Sequence, residues 1–117
     1  MKKSIIIVET DQSILDVLII LLTEEGYHVK GTVKFQEVET LVNIEQPKLV
    51  ILEFKLKGLD AIKLCEQFKR EFPSMVILAI SCNEDIETTS AISGFDGFIA
   101  KPFEIDVLAR TIHLMLN

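Results

Sequence analysis

Apolar and polar residues follow two periods along this chain: short β-branched runs alternate with longer stretches in which apolar positions recur every three to four residues. The first run, Ser4–Val8, is continuously apolar from Ile5 onward and ends at the acid Glu9, the pattern of a parallel strand covered on both faces. A helix follows it. Asp11 or Ser13 supplies the cap, Ile14, Leu15, Leu18, Leu21 and Leu22 make the inward stripe, and Gly26 ends it. His28–Thr32 predicts a second strand. The next helix covers residues 36–45, with Val38, Leu41, Val42 and Ile44 inward and Pro47 blocking continuation. Residues 49–52 form strand three. From Asp60 as a cap, Ala61, Leu64, Cys65, Phe68 and Phe72 recur at i, i+3, i+4, i+7 and i+11, the apolar face of a third helix that ends before Pro73. Strand four spans 75–80. A helix over 86–93 is the weakest of the set, because Thr88, Thr89 and Ser90 are poor helix formers. Residues 97–100 make strand five, and 104–116 the closing helix with Ile105, Leu108, Ile112 and Met115 inward.

Five strands alternating with five helices through short connections require right-handed crossovers, which predicts one α/β domain over residues 1–117. The expected architecture is a five-stranded parallel sheet in the order 2-1-3-4-5, a flavodoxin-like three-layer α/β/α sandwich. In such sheets ligands bind beyond the carboxyl ends of the strands, at the switch point between strands one and three.

Composition narrows the partners. Lys plus Arg number 12 against 18 Asp plus Glu, a net charge of −6, which repels nucleic-acid backbones and anionic lipid surfaces and leaves proteins as the expected partners. No apolar run, that of residues 17–22 included, approaches the roughly 18–20 residues of a membrane span. That run is more apolar than one helix face needs, so some of Val17, Ile19 and Ile20 are expected to be exposed or to meet a partner. Met1-Lys2-Lys3 and the apolar stretch after it meet Glu9 and Asp11 too soon for a signal peptide, so a cytoplasmic location is expected. Cys65 and Cys82 form no CxxC and have no His at ligand spacing; both read as core residues.

The strand ends carry the chemistry. Glu9, Thr10 and Asp11 follow strand one, Glu53 follows strand three, Ser81 strand four and Lys101 strand five, and the topology gathers them at one edge. Carboxylates, a hydroxyl and an ammonium in one crevice suit a metal ion or a phosphoryl group. Lys55, two residues past Glu53, is a further candidate for a pocket lysine, the alternative being a solvated loop lysine.

Across essentially all 117 residues the chain resembles the response-regulator receiver domains of bacterial two-component signalling. The carrying segments are Ile5-Ile6-Ile7-Val8-Glu9-Thr10-Asp11, Pro47-Lys48-Leu49-Val50-Ile51-Leu52-Glu53 and, most specifically, Phe98-Ile99-Ala100-Lys101-Pro102-Phe103. The resemblance implies that Glu53 stands at the phosphoacceptor position, Ser81 at the hydroxyl that contacts the phosphoryl group, Lys101 at the lysine of the family's lysine–proline signature and Phe98 at the aromatic switch. It also implies departures. Two adjacent acids that hold Mg²⁺ read Glu9-Thr10 here, and the acceptor Asp is Glu53. The expected Pro falls on Lys57, the expected Gly after Asp60 is Ala61, and the stretch between strands four and five is a couple of residues short.

Mg²⁺ demands near-ideal octahedral geometry, and displacement of a reacting group by about 1 Å costs roughly 10²-fold in rate. The extra methylene of Glu53 and the neutral Thr10 therefore predict a degenerate phosphorylation pocket. Glu9 and Glu53 are the residual metal candidates, no cofactor is expected, and Lys101, with Lys55, is expected to balance the acids in place of Mg²⁺. Phe98, lacking a hydroxyl, is expected to stay buried. The reading is a non-enzymatic pseudo-receiver that works through a sensor kinase, another signalling protein or an effector, a homodimer being a further option. Two alternatives stand beside it: a working receiver with an unusual acceptor, and a small flavodoxin-like enzyme or cofactor binder. Against the latter, Glu9-Thr10-Asp11-Gln12-Ser13 is acidic and lacks the glycines of a phosphate cradle.

Overall fold

In a computed structural model, the structure describes residues 2–55, 59–82 and 94–116, with the side chains of Leu59 and Cys82 excepted. Its elements are β1 (Ser4–Val8), α1 (Gln12–Glu24), β2 (His28–Thr32), α2 (Phe35–Glu45), β3 (Leu49–Glu53), α3 (Leu59–Glu71), β4 (Val76–Cys82), β5 (Gly97–Lys101) and α4 (Ile105–Leu116). The strands form one parallel sheet in the order β2-β1-β3-β4-β5, as the alternation of periods predicts.

Side chains along a strand alternate between faces, and the central strands divide accordingly. Ile5, Ile7, Ile51, Leu78, Ile80 and Ile99 pack with Leu15, Leu18 and Leu22 of α1 and Leu108 and Ile112 of α4. Ile6, Val8, Val50, Leu52, Ile77 and Ala79 pack with Val38 and Val42 of α2 and Ala61, Cys65 and Phe68 of α3. Both faces of the sheet are covered, which is why β1 and β3 are apolar without alternation. Cys65 is buried in the second layer; its thiol reaches the Gly94 carbonyl (3.4 Å), and burial pushes its pKa up to about 11, as suits an inert core residue.

Several expectations need correction. Ile44 is 69% exposed, because it stands two residues beyond Val42, about 200° around the helix from the buried stripe. Ile105 is also exposed: it is the first residue of α4, one turn short of Leu108, the first position the sheet covers. Asp60 lies within the first turn of α3, which already begins at Leu59, and so does not precede the helix as a cap. Strands β3, β4 and β5 run on through Glu53, Cys82 and Lys101, because backbone pairing continues irrespective of side-chain polarity. The helix expected over 86–93, the Lys57 position and the Cys82 side chain lie outside the described residues.

Asp11 caps α1. Its Oδ1 accepts hydrogen bonds from the backbone N–H groups of Ser13 (2.9 Å) and Ile14 (3.2 Å), satisfying two otherwise orphaned donors. Asp11→Ala is expected to destabilise the domain by about 1 kcal/mol, read from the midpoint of urea unfolding at unchanged slope. Among the described residues, no helix is long and apolar enough to cross a membrane.

Candidate functional site

The parallel register places the ends of β1, β3, β4 and β5 level with one another, so the residues that leave these strands meet at one edge of the sheet. Glu9 follows β1 directly. Its backbone N–H donates to the Thr32 carbonyl (3.1 Å), and its side chain is wholly buried. One carboxylate oxygen, Oε2, accepts the Asp11 N–H (2.9 Å); the other, Oε1, accepts Lys101 Nζ (2.7 Å).

Lys101 is the centre of the constellation. Its ammonium donates both to Glu9 and to Glu53 Oε2 (3.0 Å), bridging acids delivered by two different strands. The other Glu53 oxygen, Oε1, is gripped by Thr10 twice, from the hydroxyl (2.6 Å) and from the backbone N–H (2.9 Å). Lys55, at the exposed rim, donates to Thr10 Oγ1 (3.1 Å), so that hydroxyl accepts one hydrogen bond while donating another. Among the described residues, the carboxylates of Glu9 and Glu53 thus meet two ammonium groups at this edge. Ser81 is buried, and its hydroxyl donates to the Phe54 carbonyl (3.2 Å).

These contacts set the ionisation of the three central groups. Burial alone would raise Glu53, but the two hydrogen bonds from Thr10 and the Lys101 ammonium outweigh it and hold the carboxyl at about 2. Glu9 moves the other way: burial raises it, and the adjacent Glu53 charge adds to that rise, against the opposing contacts of Lys101 and Asp11. For Lys101 burial favours the neutral amine, yet the two carboxylates prevail and keep its pKa above the usual lysine value. The lysine is therefore a fixed cation.

A magnesium ion does not fit the residues as arranged. It needs about six oxygens at roughly 2.0–2.1 Å, whereas the facing oxygens of Glu9 and Glu53 converge on an ammonium and Thr10 turns its proton toward Glu53. The Asp11 carboxylate, counted among the pocket acids from sequence, is turned to the helix end, and only its backbone N–H serves the pocket. Among the described residues, no group of three or more His, Cys, Asp or Glu side chains is arranged to hold a metal ion.

Comparison with known proteins decides the family. The model of the response regulator receiver domain matches residues 5–113. The chain belongs to the response-regulator receiver family. Its sheet order and helix placement are those of the receiver fold. The receiver domain is 28% identical over 115 residues to the transcriptional regulatory protein AfsQ1 of Streptomyces coelicolor, covering 97% of this chain and 51% of AfsQ1; it thus spans about half that relative's length. Its structure is similar to the receiver domain of NtrX from Brucella abortus, with a TM-score of 0.86 and 30% identity over 96% of this chain and 97% of that one. HP1043, an orphan response regulator of H. pylori, shares the fold at a TM-score of 0.83 and 23% identity, covering 98% and 97% of the two chains.

Within this receiver domain Phe98 departs from expectation. It is 46% exposed, not buried, because β5 is an edge strand and Phe98 stands on the opposite face from Ile99, which is buried against α4. With Pro102, Phe103 and Val107 it lines a groove of about 300 Å³. On α1, Val17 and Ile20 are exposed while Ile19 packs against the core. Sequence reasoning missed the double donation from Thr10 to Glu53. A signal for it was present: a hydroxyl stands where an acid is expected, in the same chain that carries an acid one methylene longer.

Proposed function

We propose that this receiver domain acts in two-component signalling as a protein-interaction module that does not use phosphorylation of an acceptor carboxylate. The observation that carries this reading is the Lys101 ammonium bridging Glu9 (2.7 Å) and Glu53 (3.0 Å) while Thr10 holds the remaining Glu53 oxygen. The facing oxygens of Glu9 and Glu53 already contact a cation, and the other Glu53 oxygen is engaged by Thr10, so the acids that would hold a metal and accept a phosphoryl group are committed. The module is a cytoplasmic binding domain without catalytic activity or cofactor. Its partners are proteins, a sensor kinase, another signalling protein or an effector among them, in keeping with a net charge of −6. Family membership favours a binding module over a small flavodoxin-like enzyme.

A second reading takes Glu53 as a permanent substitute for a phosphorylated acid, and its contact with Lys101 favours this. One carboxylate charge is well short of the roughly −1.5 to −2 and three acceptor oxygens of a phosphoryl group, so the inert module is preferred.

Intact-mass spectrometry after incubation with a small acyl-phosphate donor and Mg²⁺ tests the proposal. The natural protein is expected to gain no phosphoryl group, and a Thr10→Asp, Glu53→Asp double variant is expected to gain one. A phosphoryl adduct on the natural protein would establish a working receiver with an unusual acceptor and overturn the proposal.

A further inference from the structure

We infer that Thr10 and Glu53 form a matched pair that closes this pocket to divalent cations, Thr10 acting as the positioning residue that holds Glu53 against Lys101. The inference deepens the preceding reading and rests on it for the pocket's inertness toward phosphate.

Glu53 divides its two oxygens between different jobs. Oε1 receives both donors of Thr10, at 2.6 and 2.9 Å, and Oε2 receives Lys101 at 3.0 Å. Two donors from one residue on one oxygen fix the carboxylate more tightly than either alone, and they aim its second oxygen at the ammonium. The arrangement needs both substitutions. An Asp at position 10 would be an acceptor only, and would set a negative charge against Glu53 Oε1 where a donor now stands. An Asp at position 53 would end about 1.5 Å earlier, one carbon–carbon bond short, and would stretch the 2.6 Å contact beyond hydrogen-bond range.

The ammonium then engages the facing oxygens of both acids, Glu9 Oε1 and Glu53 Oε2, which a divalent ion would need as ligands. Lys101 is held by both Glu9 and Glu53, and its side chain is only 14% exposed, so an entering ion must displace a largely buried charge. A second ammonium, that of Lys55, stands at the rim against Thr10. Reversion of Glu53 alone frees space but leaves a neutral ligand at position 10 and two acids already matched to Lys101. Reversion of Thr10 alone supplies a third acid but leaves the Glu53 arm across the cavity.

The test uses Mn²⁺ as the probe, followed by paramagnetic broadening in NMR spectra of the 117-residue chain. The natural protein and Glu53→Asp are expected to show no saturable binding at millimolar Mn²⁺. Thr10→Asp is expected to bind weakly, and Thr10→Asp, Glu53→Asp at least about tenfold more tightly than Thr10→Asp. Saturable binding by the natural protein, or either single variant equalling the double, overturns the inference. A second measurement holds even if the acidic variants fail to fold: the Glu53 carboxyl resonance is titrated in Thr10→Val, which removes only the hydroxyl, and in Thr10→Ser, which keeps it. The midpoint is expected to rise in the former and return in the latter; an unchanged midpoint in Thr10→Val removes Thr10 from its positioning role. A natural protein that is phosphorylated yet silent toward Mn²⁺ would overturn the functional reading and leave cation exclusion standing.

Discussion

Lys101→Met is expected to destabilise the domain by about 3–5 kcal/mol, because it removes the shared counter-ion of two buried carboxylates and leaves like charges facing one another. Glu9 is wholly inaccessible and Glu53 nearly so, which leaves water little room to take over the missing ammonium's role. For a domain of this size the loss corresponds to a fall in melting temperature of roughly 10–25 °C. Thermal unfolding at neutral pH, followed by circular dichroism, measures it. Replacing the whole triad with apolar residues, Glu9→Leu, Lys101→Met and Glu53→Leu together, is expected to recover most of that loss, since no charge then remains to be compensated. A fall below about 1 kcal/mol in the single variant would mean that one of the acids is already neutral in the folded state.

The second large effect is in acid. A carboxyl held at about 2, against the usual 4.5, binds its proton less readily in the folded state than in the unfolded chain. Its contribution to stability is therefore complete above about pH 4.5 and is lost as the pH falls toward 2. The full contribution is about 3 kcal/mol at most. Glu9 acts in the opposite sense: its raised pKa favours the folded state at low pH, and that contribution disappears as the pH rises through its folded-state value. Comparing the natural protein with Glu53→Gln isolates the Glu53 part. Urea unfolding at a series of pH values is expected to show the stability difference shrinking by about 1–3 kcal/mol on acidification through this window. A difference that does not vary with pH would show that Glu53 is not held ionised by Thr10 and Lys101.

Much of this architecture is legible in single residues. The uninterrupted Ile5-Ile6-Ile7-Val8 can be stable only as a strand covered on both faces, and β1 lies between β2 and β3 with helices on either side. Where periodicity failed, it failed at element ends. Ile44 and Ile105 are apolar and in the right windows, but a helix buries a residue only where the sheet lies beneath it. Phe98 failed for a related reason. An aromatic side chain carries no mark of which face of an edge strand it will occupy or what will cover that face.

The pocket divides along the same line. That Glu9, Thr10, Glu53, Ser81 and Lys101 share one edge follows from the alternation of strand and helix, because a parallel sheet delivers the carboxyl end of every strand to the same side. That two acids are unbalanced without a cation can likewise be read from residue types. The sequence by itself therefore determined the fold class, the sheet edge at which these side chains gather and the residue types found there. Only the tertiary structure decided which atoms bond: Asp11 spends its carboxylate on the α1 cap, Ser81 donates to the Phe54 carbonyl, and Thr10 turns its proton to Glu53. Side-chain hydrogen bonds are settled by differences of a few tenths of an ångström between competing partners, and those distances exist only once strands far apart in sequence have been brought into register.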